Sequence, residues 1–360
     1  MPKTMHPLLQ TITLLRTEFF SLSFIISSAI LLTCSLIYSS PVRSAAFDYF
    51  QALPDQPLIP DDNPLTTDKI KLGKKLFFDK RLSGNNLFSC NDCHSFLGGE
   101  KPAVAIGASG KAGKRNPPTL LNIGLQTVLY WDGRSTSLEA QALDHLLDPH
   151  VMGNDTAKSL TDRLSKDEYY VQAFMQAFDS AHPVKIENVA KALASFQRAL
   201  MTPNSPFDRY IKGEEFAISV KAKKGMQLFN DAGCLACHFG VNFAGPAPGP
   251  ALGMGDGFYE LFPNNLGSAY DTSHKLTEDL GRYEFSKDPG EKYMWRVPPL
   301  RNIALTAPYF HNGSAKSLHE AVEIMAKTQT DKVLKKEEVD AIVEFLKSLT
   351  GETPAILQQH

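Results

Sequence analysis

The sequence predicts an all-α protein built from two homologous halves. Three observations carry that reading. Apolar residues recur at helical spacing, a Cys-x-x-Cys-His motif occurs twice, and the same flanking blocks follow each copy in the same order.

Helical spacing marks Thr67–Phe77, Ser159–Phe178 and Ile186–Leu200. Lys335–Leu349 reads as a terminal helix, with Gly351 just beyond it as a stop signal. No segment shows the sustained alternation of a strand. Between Gly240 and Pro299, Gly, Pro and Asn crowd the chain, which predicts long irregular loops.

The repeat is legible in three blocks. Lys71-x-Gly73-x-x-Leu76-Phe77 returns as Lys223-x-Gly225-x-x-Leu228-Phe229, each ahead of a Cys-x-x-Cys-His motif. Pro117-Pro118-Thr119-Leu120-Leu121-Asn122-Ile123 returns as Pro298-Pro299-Leu300-Arg301-Asn302-Ile303. Tyr130-Trp131-Asp132-Gly133 with Ser137-Leu138 answers Tyr309-Phe310-His311-Asn312-Gly313 with Ser317-Leu318. The expected division is 47–205 and 206–350, with a tail at 351–360.

The motifs are Cys90-Asn91-Asp92-Cys93-His94 and Cys234-Leu235-Ala236-Cys237-His238. Cys-x-x-Cys followed directly by His is the pattern of covalent c-type haem attachment: two thiols add across the vinyl groups and the histidine ligates iron. A zinc site or a redox-active thiol pair uses similar spacing. Two copies behind an export signal favour haem, so two cytochrome c-like domains are expected, each with a haem-filled core.

That signal lies at the N-terminus. Lys3 and Arg16 precede an uncharged stretch from Phe19 to Tyr38, and Ser44-Ala45-Ala46 offers a small-residue cleavage site. Residues 1–46 therefore read as a signal peptide, with a retained membrane anchor as the alternative, and a Gram-negative source would make the protein periplasmic. Cys34 leaves with this leader, and the other four of the five cysteines sit in the two motifs. A hydrophobic content of 43%, a charged content of 21% and a net charge of −2 describe a soluble globular protein and give no case for nucleic acid.

His94 and His238 each supply one axial ligand. The sixth position decides whether a haem transfers electrons or meets an oxidant. Met325 is the best candidate in the C-terminal half, expected where a helix from Ser317 leads into a loop. Met254, Met294, His274 and His311 are rivals that spacing does not separate.

Further runs carry a resemblance. These are Leu76-Phe77-Phe78-Asp79-x-Arg81-Leu82-Ser83, Arg115-Asn116-x-Pro118-Thr119, Trp131-Asp132-Gly133-Arg134, Thr202–Asp208 and Leu300–Gly313. Over its whole mature length the chain resembles the bacterial di-haem cytochrome c peroxidases, a family that includes the MauG-type enzymes. The resemblance implies a high-potential electron-entry haem on Cys234, Cys237 and His238, with Met325 where the peroxidases place their axial methionine. It implies a peroxidatic haem on Cys90, Cys93 and His94. Trp131 matches the tryptophan between the haems, Gln141 a distal glutamine, and Asn116, Thr306 and Pro308 the surroundings of an interdomain calcium ion.

Two positions depart from the family pattern. Where many members place a loop histidine that caps the peroxidatic iron, this chain has Ala108, which implies an iron needing no reductive activation unless another group reaches it. The distal glutamate is replaced by Val151, which cannot carry a proton. His150 beside it is the candidate acid–base group, with ligand and surface roles as alternatives.

The expected function is reduction of hydrogen peroxide with electrons from a small cytochrome c or cupredoxin. The alternatives are MauG-like oxidation of a protein or organic substrate, and a non-enzymatic carrier or sensor. The family also implies a homodimer.

Overall fold

The computed structural model describes residues 49–94, 103–246 and 257–358. The predicted leader lies outside them. The described residues pack as one unit. No helix among the described residues is long and apolar enough to cross a membrane.

The first half contains α1 (Thr67–Phe77), α2 (Leu138–Leu147), α3 (Ala157–Leu164), α4 (Glu168–Ala177) and α5 (Ile186–Arg198). A connector, α6 (Pro206–Ile211), leads to the second half. There follow α7 (Val220–Asp231), α8 (Ala269–Ser273), α9 (Tyr283–Ser286), α10 (Leu318–Thr330), α11 (Lys336–Lys347) and α12 (Ala355–Gln358). Two short strands, β1 (Tyr259–Leu261) and β2 (Met294–Arg296), pair antiparallel with Tyr259 opposite Arg296.

The repeat is explicit in space. Helix α1 crosses α5 at Gly73, and α7 crosses α11 at Gly225. A Cβ would lie 1.9 Å from the Ala192 carbonyl oxygen at the first crossing and 1.8 Å from that of Ala341 at the second. Only glycine permits such backbone contact, which explains the Gly shared by the two Lys-x-Gly-x-x-Leu-Phe blocks. Asn122 and Asn302 both adopt left-handed backbone conformations, φ 59° and 60°, ahead of matching 3-10 turns at Ile123–Leu125 and Ile303–Leu305. Ser137 and Ser317 cap α2 and α10 by accepting from the backbone N–H of Ala140 and Glu320.

Among the residues that join the halves, one serves both repeats alike. Thr202 Oγ1 accepts from Asn122 Nδ2 at 2.8 Å and from Asn302 Nδ2 at 2.9 Å. The Thr202 N–H donates to Asn122 Oδ1, and the Gly351 N–H donates to Asn302 Oδ1 in the same way. A side chain at Gly351 would meet the Thr202 carbonyl oxygen at 2.1 Å. Gly351 is thus required for close approach.

Three expectations differ from the structure. The predicted helix 159–178 is two helices, because Asp167 turns its carboxylate back onto the N–H of Tyr169 and starts α4 afresh. Met325 stands within α10, which continues to Thr330. Two three-residue strands lie in the stretch expected to be irregular, too short to show alternation.

Candidate functional site

Each Cys-x-x-Cys-His motif folds as a short 3-10 turn, Cys90–Asp92 or Cys234–Ala236. The N–H of His94 donates to the Cys90 carbonyl at 3.1 Å, and that of His238 to Cys234 at 2.9 Å. The turn brings both thiols and the imidazole onto one cavity in each half.

The second ring nitrogen of each histidine fixes its role. His94 Nδ1 lies 3.0 Å from the Pro118 carbonyl oxygen, and His238 Nδ1 3.0 Å from that of Phe243. A carbonyl only accepts, so Nδ1 carries the proton and Nε2 keeps the lone pair that a metal needs. Pro118 belongs to the repeated Pro-Pro block, which therefore serves to orient the ligand.

Burial pushes all four thiols up, Cys90 to about 12 and Cys234 to about 11. Cys237 reaches about 11 through burial and the neighbouring Glu260 carboxylate. A thioether in the same place carries no charge to bury. The C-terminal cleft, about 400 Å³, is walled by Phe229, Phe262, Trp295 and Leu346 and suits a flat apolar macrocycle. The residues fit haem c.

In the N-terminal cavity, Gln141 and Val151 face the space beside His94. The side chain of His150 does not: it is exposed, and its N–H donates to Asp148 Oδ1 at 2.7 Å. Of the three roles open to it in the sequence, this is the placement that goes with the surface one. The histidine that does line the cavity is His145, which sequence reasoning missed. Its ring stands 6.5 Å from that of His94, centroid to centroid, with the planes 23° apart. Gln141, one turn earlier on α2, places Nε2 2.9 Å from His145 Nδ1, and Tyr130 meets the ring edge-on at 5.3 Å. Burial, aided by His94 and Arg134, pushes the His145 pKa down to about 3. Ser137 as cap, followed by Leu138, Ala142 and Leu146 at helical spacing, was the available signal: it places positions 141 and 145 on one face.

Ala108 carries no ligand atom, and its N–H donates to the Val151 carbonyl at 2.9 Å. Loop and distal turn are thereby fastened together.

In the C-terminal cleft, Met325 and His311 line the wall along with His238. His274 instead approaches Glu320 at 3.7 Å, and Met294 lies on β2; neither lines the cleft. Met254 falls outside the described residues. His311 stacks on Trp295 at 4.1 Å and 17°, and burial pushes its pKa down to about 4. Trp131, though from the first half, lines this second cleft. Its indole N–H donates to the Asn116 carbonyl at 2.7 Å, and its ring meets His311 edge-on at 6.5 Å. Asn116 Nδ2 lies 2.7 Å from the Pro308 carbonyl oxygen, while its buried Oδ1 has no hydrogen-bond partner. Asn116, Thr306 and Pro308 all border the same cleft.

Comparison with known proteins accords with this geometry. The di-haem cytochrome c peroxidase family matches residues 67–216, and a cytochrome c family matches 222–350. The cytochrome c551 peroxidase of Pseudomonas aeruginosa is 36% identical, over 89% of this chain and 90% of its own. The methylamine utilization protein MauG of Methylophilus methylotrophus is 35% identical, over 83% and 87%. Among solved structures, a MauG-like protein associated with microbial copper homeostasis superposes with a TM-score of 0.69 at 28% identity, covering 83% of this chain and 95% of its own. The chain belongs to the bacterial di-haem cytochrome c peroxidase family, whose c-type haems its two Cys-x-x-Cys-His turns are built to hold, and is an enzyme of that class.

Proposed function

We propose that the protein reduces hydrogen peroxide to two waters, taking two electrons one at a time from a small cytochrome c or cupredoxin together with two protons. The observation that carries this reading is the position of Trp131, which belongs to the first repeat by sequence yet forms a wall of the second repeat's cleft. The domains divide near residue 205, and electrons enter through the C-terminal one.

Haem would be held by Cys90, Cys93 and His94 in one cavity and by Cys234, Cys237 and His238 in the other, and when bound supplies the redox chemistry. The rest falls to the chain. The Pro118 and Phe243 carbonyls keep the two imidazoles in their ligating tautomer. Met325 lines the second cleft and would hold the iron there through a soft thioether, which would keep the potential high. Trp131 fills the path between the sites, tied down by Asn116. Gln141 fixes the orientation of His145. With His150 exposed, no proton route is assigned to it.

Asn116, Thr306 and Pro308 would offer the hard oxygen set that Ca²⁺ takes once the Asn116 amide, whose Nδ2 donates to the Pro308 carbonyl, is turned over to present Oδ1. That buried Oδ1 has no hydrogen-bond partner, which supports this. Loss of activity on chelation, restored by calcium, is the expected result. Export behind residues 1–46 belongs to the same reading.

The deciding assay is peroxide-dependent oxidation of reduced cytochrome c by the holoprotein, as isolated and after prior reduction. Turnover establishes the peroxidase. If both haems are intact and no turnover occurs in either state, the MauG-like reading takes its place, favoured by Val151 where the family's glutamate is absent.

A further inference from the structure

We propose that His145 is the sixth ligand of the N-terminal haem iron, delivered by a helix. The proposal rests on the haem reading above and adds a residue that neither the motifs nor the loop at Ala108 disclosed.

Distance selects the role. Two imidazoles that share a metal end to end are separated by twice a bond of about 2.0 Å plus twice a ring radius of about 1.1 Å, or about 6 Å between centroids. The observed separation of His94 and His145 is 6.5 Å. A distal acid–base group must also leave room for peroxide between itself and the iron. A further hydrogen bond of about 2.8 Å with its oxygen atoms would set the rings well beyond 8 Å apart.

Gln141 sets the orientation. Its Nε2 stands 2.9 Å from Nδ1 and 3.2 Å from Nε2 of the ring, so the amide reaches both nitrogens. With the amide flipped and the side chain turned so that Oε1 meets Nδ1 alone, it would accept the imidazole proton and free the Nε2 lone pair for iron. This is the outer-shell arrangement that the Pro118 carbonyl gives His94 on the other side. Tyr130 closes against the ring and limits its rotation. Met152 also lines the cavity, and a thioether ligand in its place is an outcome the test below distinguishes.

The support is rigid. Ser137 caps α2, and Glu139 of that helix forms a two-pronged pair with Arg198 of α5 at 2.6 and 2.9 Å. A ligand on a loop leaves by moving the loop. His145 leaves only by turning its own side chain, so the N-terminal iron is six-coordinate at rest.

The test is spectroscopic and uses the di-haem holoprotein. Electron paramagnetic resonance and absorption of the ferric wild type are expected to show both haems low-spin, the N-terminal one with two imidazoles. In His145→Ala, and in His145→Gln, which keeps most of the volume, that haem becomes high-spin while the C-terminal signal stays as an internal control. Added imidazole returns the low-spin signal in His145→Ala. A high-spin N-terminal haem in the wild type, a thioether-ligated one, or unchanged spectra in both variants would overturn the proposal. Peroxide turnover is scored separately: its absence sinks the peroxidase reading and leaves the ligation result standing.

Discussion

Arg301 and Asp208 form an ion pair with no solvent exposure on either side chain, at 2.8 Å, where the connector α6 meets the second repeat. Arg301 also donates to the carbonyls of Val241 and Gln51 at 3.0 and 2.9 Å, and lies between the rings of Phe207 and Phe243. Arg301→Met keeps the packing and deletes the charge. Asp208 then retains the Leu53 N–H and both donors of Ser205, which limits the penalty, while two carbonyls lose their donors. Breaking a buried pair costs about 3–5 kcal/mol, and these offsetting effects place the loss near 4 kcal/mol. Urea unfolding followed by far-ultraviolet circular dichroism, with haems covalently retained, measures it. The double variant Arg301→Met/Asp208→Asn leaves no buried charge and is expected to be at least about 2 kcal/mol less damaging than the sum of the singles. A single-variant loss below about 1 kcal/mol, or strict additivity, would refute the view that an uncompensated charge dominates.

Three further outcomes are expected. Trp131→Phe should slow cytochrome-driven turnover at least about ten-fold, about 1.4 kcal/mol of barrier, with both haem spectra unchanged; an unaltered rate would reduce the indole to packing. Met325→Leu should abolish the sulfur-to-iron charge-transfer band and lower the potential of the C-terminal haem, as measured by spectroelectrochemical titration; a wild type that lacks the band, with spectra unchanged in Met325→Leu, would move the ligand role to His311. Burial raises the Glu139 pKa, but hydrogen bonds and charge from Arg198 outweigh it, so the carboxyl is held below its ordinary 4.5. A depressed carboxylate stabilises the fold fully above that ordinary value and loses its contribution as pH falls through the lower, folded-state one. The stability advantage of wild type over Glu139→Gln, followed by thermal melts, should therefore be constant at neutral pH and shrink below about pH 4.5.

The haem-bearing turns were legible in the sequence because their constraints are local, and the repeat because its blocks recur in the same order. Cys, Cys and His share a single turn, and Gly73 and Gly225 each answer to a single helix crossing. Trp131 was legible through a motif, but its membership of the opposite cleft was not, since that depends on how the halves pack. His145 was missed for a different reason. Val151 does face the cavity, but its chain neighbour His150 is exposed, and the histidine that lines the space lies one helical turn beyond Gln141. On a helix a spacing of four outweighs adjacency in the chain. Gly351 was read as a helix stop, but the requirement there is room beside Thr202, a contact between residues about 150 positions apart that no local pattern encodes.

That contact has a consequence for how the duplicated chain can vary. The backbone partnerships at Asn122 and Asn302 were copied with the repeat, but the side-chain acceptor was not: one hydroxyl, on Thr202, serves both asparagines because its counterpart Gly351 has no room for one. A hydroxyl oxygen has two lone pairs, and both are committed. The seam between the halves therefore tolerates serine or threonine at position 202. A one-residue insertion or deletion between Leu200 and Ser205 would strip the acceptor from both repeats at once, making this short stretch the part of the chain least open to length change.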